Sequence, residues 1–218
     1  VLDPAFVPWQ VADEAWTERL IPLPDHGTAV GLLTGGPGAT GRVLMSGDAV
    51  SRLDAVQALT GSPRATILLA LFAAALHRVL DLDDLLVVTQ LDVRPTNEGR
   101  SLGMLVNTLP VRSSLARDVE WPNFLEQIQS QLHFALVHRR EPFDDIVRNT
   151  RPARRSDGSS VFSDFEFSYL RERPDPRVGT FAARILPRPD PASRYGESMN
   201  VVDRGDEIEV RWGSRSAD

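Results

Sequence analysis

Leu102 to Arg112 reads LGMLVNTLPVR. Gly103 opens an aliphatic run, Met104-Leu105-Val106, which meets the polar pair Asn107-Thr108 and resumes as Leu109-Pro110-Val111-Arg112. Aliphatic and β-branched residues in a short run bounded by glycine predict a strand. Alternation puts Leu105, Asn107 and Leu109 on one face and Met104, Val106 and Thr108 on the other. Proline donates nothing to a ladder, so Pro110 places this strand at an edge, an end or a bulge. The two hydrogen-bonding side chains at its centre leave two readings open: a solvated polar step in a structural strand, or polar groups turned toward a site.

Downstream, Trp121-Pro122 begins a helix, Asn123 to His138, with Phe124, Ile128, Leu132 and Ala135 among polar positions. His133 and His138 are five apart, do not share a helix face, and are not a zinc pair. Glu141-Pro142-Phe143 breaks that helix and Asp144 to Val147 starts a short one. Arg148 to Ser160, RNTRPARRSDGSS, reads as a solvated loop because nothing in it cradles an anion. Phe162 to Tyr169 has period-two alternation and is a strand. Val178 to Leu186, Ser198 to Val202 and Glu207 to Trp212 are further strands, with a hairpin turn at Asp203 to Asp206.

Upstream, Leu85 to Leu91 is a strand whose continuous apolar part predicts burial on both faces. Arg64 to Leu80 is apolar on nearly all sides, so it is expected between layers, with His77 a packed or solvated histidine near its end. Asp48 to Leu59 carries Val50, Leu53, Val56 and Leu59 at helical spacing, with Asp48 as cap. Thr34 to Val43 imitates a phosphate loop, but Arg42 and Val43 replace its lysine and hydroxyl, and it runs into a strand. Asp13 to Leu20 is a short helix with acids early and Arg19 late.

The 218 residues, 42% of them hydrophobic, suffice for one sizeable core. A net charge of −6 argues against a nucleic-acid-binding surface. The absence of cysteine excludes disulfides and fits a reducing, cytoplasmic setting. No apolar stretch approaches the roughly eighteen residues of a membrane span. Val1 to Gln10 is not built as a signal peptide, and the missing initiator methionine is expected of a fragment or processed product.

Three ordered stretches resemble nonribosomal peptide synthetase condensation domains. GMLVNTLPVR, from Gly103 to Arg112, is similar to that family's GxFVNTLxxR motif. His138 to Asp144, HRREPFD, resembles its HQDxPFE segment. Arg154 to Phe167, RRSDGSSVFSDFEF, resembles its RDxSRNPLFxxxF segment. The stretch around Trp9 and the Trp16 helix are similar to pieces that lead from the family's first half into its second.

The resemblance implies a chloramphenicol-acetyltransferase-like α/β fold: a two-layer sandwich of mixed sheet and packed helices, of which this chain is the second, acceptor-side lobe. It implies residues 1–25 as a crossover segment from an N-terminal lobe and 26–218 as the lobe itself. It implies amide-bond formation between carrier-protein-bound thioesters, with the phosphopantetheine arms of peptidyl and aminoacyl carrier proteins as substrate carriers, and no resident cofactor, metal, membrane or nucleic acid. The family's HHxxxDG motif is absent, so no catalytic residue is assigned in this chain. Thr89 and Asn107 are the expected tunnel-facing groups. Gly103, Val106, Thr108, Arg112, Pro142, Phe143 and Arg154 are expected to be motif or architectural residues. Arg139 and Arg140 replace the family's Gln-Asp, and Gly158 stands at an arginine position. An inactive module that recruits a carrier protein or tailoring enzyme, and an acyltransferase with a free acceptor, are the alternative readings.

Overall fold

The computed structural model describes residues 9, 14–26, 38–94, 103, 105–116, 119–172, 177–178, 181–182 and 193–215. Strand β1 (Thr40–Ser46) is followed by two helices, α2 (Asp48–Thr60) and α3 (Arg64–Leu80), and then by β2 (Asp84–Asp92). Leu85 to Thr89 are all buried, as an apolar run without alternation requires. On one side β2 pairs antiparallel with β3 (Val106–Ser114), with Val88 opposite Pro110 and Leu91 opposite Asn107. On its other side it pairs in parallel with β4 (Phe165–Arg171). Strands β5 (Arg177–Val178) and β6 (Phe181–Ala182) make a separate small ribbon. Strands β7 (Glu197–Asp203) and β8 (Glu207–Ser214) complete a six-stranded mixed sheet of order β1-β8-β7-β4-β2-β3. Strand β3 is therefore an edge, which is where Pro110 belongs.

Two apolar clusters hold helices to this sheet. On one face, Leu69, Phe72 and Leu76 of α3 and Phe124 and Ile128 of α4 (Trp121–Val137) pack with Val87, Val111, Phe165 and Phe167. The second cluster gathers Leu86, Val88 and Leu109 with Trp16 and Leu20 of α1 (Ala15–Leu20), Ile146 of α5 (Phe143–Thr150) and Phe162. Trp16 meets Phe134 edge-on at 4.9 Å, and Arg19 lies over the same ring. The segment expected as a crossover is thus, from residue 14 onward, packed chain.

Several elements depart from expectation. Helix α3 has an open side, with Leu71 and Val79 about half exposed, and α2 meets it at 104°. Asp48 is the first residue of α2 and not its cap. Leu59 is 87% exposed, so the apolar stripe ends early. Val161 to Ser163 is a 3-10 turn and not strand, because Ser160 and Ser163 bond each other's backbone in a capping box. Helix α5 runs on to Thr150, into the expected loop. Of the strand expected over Val178 to Leu186, only 178 and 181–182 lie within the described residues, and they belong to the two-strand ribbon. Most of the phosphate-loop imitation lies outside the described residues. His77 is packed, bonded to Leu82 O at 2.5 Å and Ser113 Oγ at 3.0 Å, and burial pushes its pKa down.

The β1 edge is fastened by a charge cluster. Glu209 on β8 is 3% exposed and takes Arg211 Nε at 2.8 Å, Arg42 Nε at 2.9 Å and Arg204 Nη2 at 3.0 Å. The Arg211 bond leads in holding its pKa down at about 2, from an ordinary 4.5. A depressed folded-state pKa means stabilisation that is present above the unfolded value and lost as pH falls toward the folded one. Wild type is therefore expected to melt higher than Glu209→Gln above about pH 4.5, with the gap closing as pH falls toward about 2. Thermal unfolding across that range checks this; a gap independent of pH would contradict it.

Candidate functional site

The polar pair of the LGMLVNTLPVR strand divides between the two faces of β3. Asn107 faces inward and is 4% exposed. Its Nδ2 donates to Arg139 O at 3.0 Å and to Glu141 O at 2.5 Å, and its Oδ1 accepts the Phe143 N–H at 3.3 Å. Pro142 at the start of α5 has no side chain to cap the helix, so Asn107 caps it from a neighbouring strand. The Phe143 ring then meets the Phe162 ring edge-on at 5.7 Å. Three stretches distant in sequence are joined here.

Two further anchors flank that junction. Arg112 forks onto Asp84, Nε to Oδ1 at 2.9 Å and Nη2 to Oδ2 at 2.5 Å, and its Nη1 donates to Leu20 O at 2.9 Å. This tie locks α1 to β2 and β3. Arg155 forks onto the buried Asp164 at 2.6 and 2.9 Å, and Asp164 also takes His26 Nδ1 at 3.0 Å. His26 Nε2 accepts the Leu86 N–H at 3.2 Å, so the ring carries its proton on Nδ1. The histidine fills the gap where β2 has not yet met β4. Arg154, expected to be architectural, is exposed and among the described residues reaches Gly158 O at 3.0 Å; its neighbour Arg155 has the buried partner. Arg94 braces the approach to β3 by bonding Asp92 and Gly103 O. Gly103 itself has φ +149°, a conformation side chains disfavour. Met104 lies outside the described residues, and Val106 is exposed on the strand's outer face.

The opposite face of the sheet is polar and partly uncovered. A cavity of about 680 Å³ lies over it, lined by Gln90, Thr108, Glu166, Ser168, Tyr195 and Asn200 among others. Gln90 Nε2 donates to Glu166 Oε1 at 2.8 Å. Burial pushes the Glu166 pKa up, against the pull of that bond; burial and then the Glu166 charge push Tyr195 up. Thr89 and Asn107 do not line this cavity. Thr89 is opposite Leu109 and Phe167 in the ladders and 4% exposed. The sequence reading chose neighbours of the lining residues: Gln90 follows Thr89, and Thr108 follows Asn107. Glu166 was missed, though a lone acid between Phe165 and Phe167 in a period-two strand signals an outward-facing carboxylate. His26 and Asp164 carried no local signal, being 138 residues apart. Among the described residues no three His, Cys, Asp or Glu side chains gather as a metal set.

A family model described as "Condensation domain" matches residues 38–210. This chain belongs to the condensation-domain family. It is 34% identical over 143 residues to AMB antimetabolite synthetase AmbE of Pseudomonas aeruginosa, covering 62% of this chain and 6% of that protein. It is 23% identical over 168 residues to surfactin synthase subunit 2 of Bacillus subtilis, covering 77% and 5%. In structure it is similar to the first condensation domain of the CDA synthetase, with a TM-score of 0.68 at 17% identity, covering 91% of this chain and 44% of that one. It is also similar to a four-domain nonribosomal peptide synthetase, holo-AB3403, with a TM-score of 0.68 at 17% identity, covering 93% and 18%. The chain therefore spans a small part of the curated relatives and under half of the solved condensation domain. In this condensation-domain chain, Asn107 and Phe143 bring together the stretches whose sequence resembles condensation-domain motifs.

Removing the Asn107 amide leaves two carbonyls and one N–H without their partner. Asn107→Ala is expected to cost about 1–3 kcal/mol of stability. Denaturant unfolding checks this; a loss within about 0.5 kcal/mol, the range of ordinary surface changes, would contradict it.

Proposed function

We propose that this chain is the C-terminal, acceptor-side lobe of an amide-forming condensation domain, and that its uncovered polar face forms one wall of the reaction cleft. The observation that carries this is the 680 Å³ cavity on the sheet face turned away from α2, α3 and α4. Its lining of amide, hydroxyl and carboxylate groups suits an acyl chain with polar atoms, and its open side suits a second lobe. Two of the proteins it resembles are named as nonribosomal peptide synthetases, kk1B of Curvularia clavata and holo-AB3403, which supports amide-bond formation in peptide synthesis as the reaction. In this reading carrier proteins deliver both thioesters on phosphopantetheine arms. An N-terminal lobe bearing HHxxxDG supplies the base near the attacking amine. This lobe supplies position, which in a bimolecular acyl transfer lowers the barrier by holding amine and thioester in reach. Gln90 and Thr108 take the cleft-facing role; Thr89 and Asn107 support them from behind.

The test is to supply loaded donor and acceptor carrier proteins and follow the dipeptidyl thioester by mass spectrometry. The 218 residues alone are expected to give only background, and the same lobe joined to an HHxxxDG-bearing lobe is expected to give product. Product from the isolated chain would contradict the division of labour. No product from the two-lobe protein with its own substrates would favour a recruitment module instead.

A further inference from the structure

Three buried carboxylates are matched by arginine: Asp164 by Arg155, Asp203 by Arg64, Glu209 by three guanidinium groups. Glu166 differs. It is 8% exposed near the start of β4 and lines the cavity. Its one bonded neighbour among the described residues is the neutral Gln90 amide, on Oε1. Of the arginines lining the same cavity, Arg211 is held by Glu209, and Arg194 is exposed beside Tyr195. The half-buried Tyr195 lines the same cavity, and after burial the Glu166 charge helps push its pKa up. A carboxylate so placed keeps half its acceptor capacity turned to the cavity. Burying it against an apolar chain leaves that capacity unmet, whereas an ammonium group meets it with a charge-assisted hydrogen bond. An aromatic wall beside the carboxylate adds attraction for the same cation.

We propose that this corner is a specificity subsite for a primary ammonium group on the substrate's side chain, with Glu166 as the recognising carboxylate, Gln90 as its positioning partner and Tyr195 as the wall. The ammonium meant is distinct from the amine that reacts. The inference deepens the proposed function and rests on it for the kind of substrate, but its test needs no turnover.

Two amide-linked, non-hydrolysable pantetheine conjugates serve as probes, ornithinyl and norvalinyl, which differ by the terminal amino group. Calorimetric titration into the 218-residue chain is expected to show ornithinyl binding about tenfold tighter, as one charge-assisted bond provides. Glu166→Gln, close in shape, is expected to weaken ornithinyl binding about tenfold and leave norvalinyl binding unchanged. Glu166→Asp is expected to keep part of the preference. Thermal unfolding of each variant confirms that the fold is intact. Equal binding of the two probes to wild type, binding of neither, or a preference that survives in Glu166→Gln would overturn the proposal. Failure here leaves product formation by the two-lobe protein untouched, so the two readings fail separately.

Discussion

The side chain of Asn107 is the tie on which the rest of this fold depends. A helix that begins with proline has no side-chain cap of its own, and an edge strand has one unpaired flank. Asn107 meets the first need and ties the edge strand to the chain before α5 with three side-chain hydrogen bonds, to the carbonyls of Arg139 and Glu141 and from the first N–H of α5. An amide suits the position because it donates twice and accepts once without charge. Aspartate there would present lone pairs to two carbonyl oxygens, and leucine would leave every partner bare. With α5 fixed, Phe143 is set against Phe162, and the turn before β4 is fixed in its turn. The buried Arg155–Asp164–His26 chain then closes the same turn onto β2.

That fastening has a consequence for the other face. The helices, the tied turns and both apolar clusters stabilise the sheet from behind and around its β2–β3 flank. The face over Gln90, Thr108, Glu166 and Asn200 is thereby spared from structural duty and can carry uncompensated polar groups. Glu166 is the clearest case. A buried acid with only a neutral amide partner costs stability, and such groups persist where a site needs them. The contrast with Glu209, a few strands away and bound by three arginines, separates a structural carboxylate from one left available.

Much of the fold was legible in the sequence. Leu85 to Thr89 read as an inner strand because it lacks alternation, and β2 is internal; Pro110 left an edge, an end or a bulge open because it lacks an N–H, and β3 is an edge. Helix α3 was legible in extent but not in environment, since composition cannot tell which flank its neighbours leave bare. The 3-10 turn at Val161 was hidden because Ser160 and Ser163 override an alternating pattern through their own hydroxyls. In the site, the motif located the right strands but not the right face. Thr89 and Asn107 drew notice as polar residues among apolar ones, and that is also the signature of a buried polar residue bonded inward. Glu166 and Gln90 looked like ordinary solvated strand positions, and only the sheet order brings them together. The ties through His26 and Arg112 join residues too far apart in the chain for spacing to reveal.

One side-chain amide caps α5 from β3. Amide hydrogen exchange followed by NMR tests it directly. The first N–H of a helix ordinarily exchanges fast, having no intrahelical acceptor. Here the Phe143 N–H and both Asn107 Nδ2 protons are expected to be protected. In Asn107→Ala the Phe143 protection is expected to vanish while amides of central β2 keep theirs. Fast exchange at Phe143 and at Nδ2 in the wild type would contradict the account.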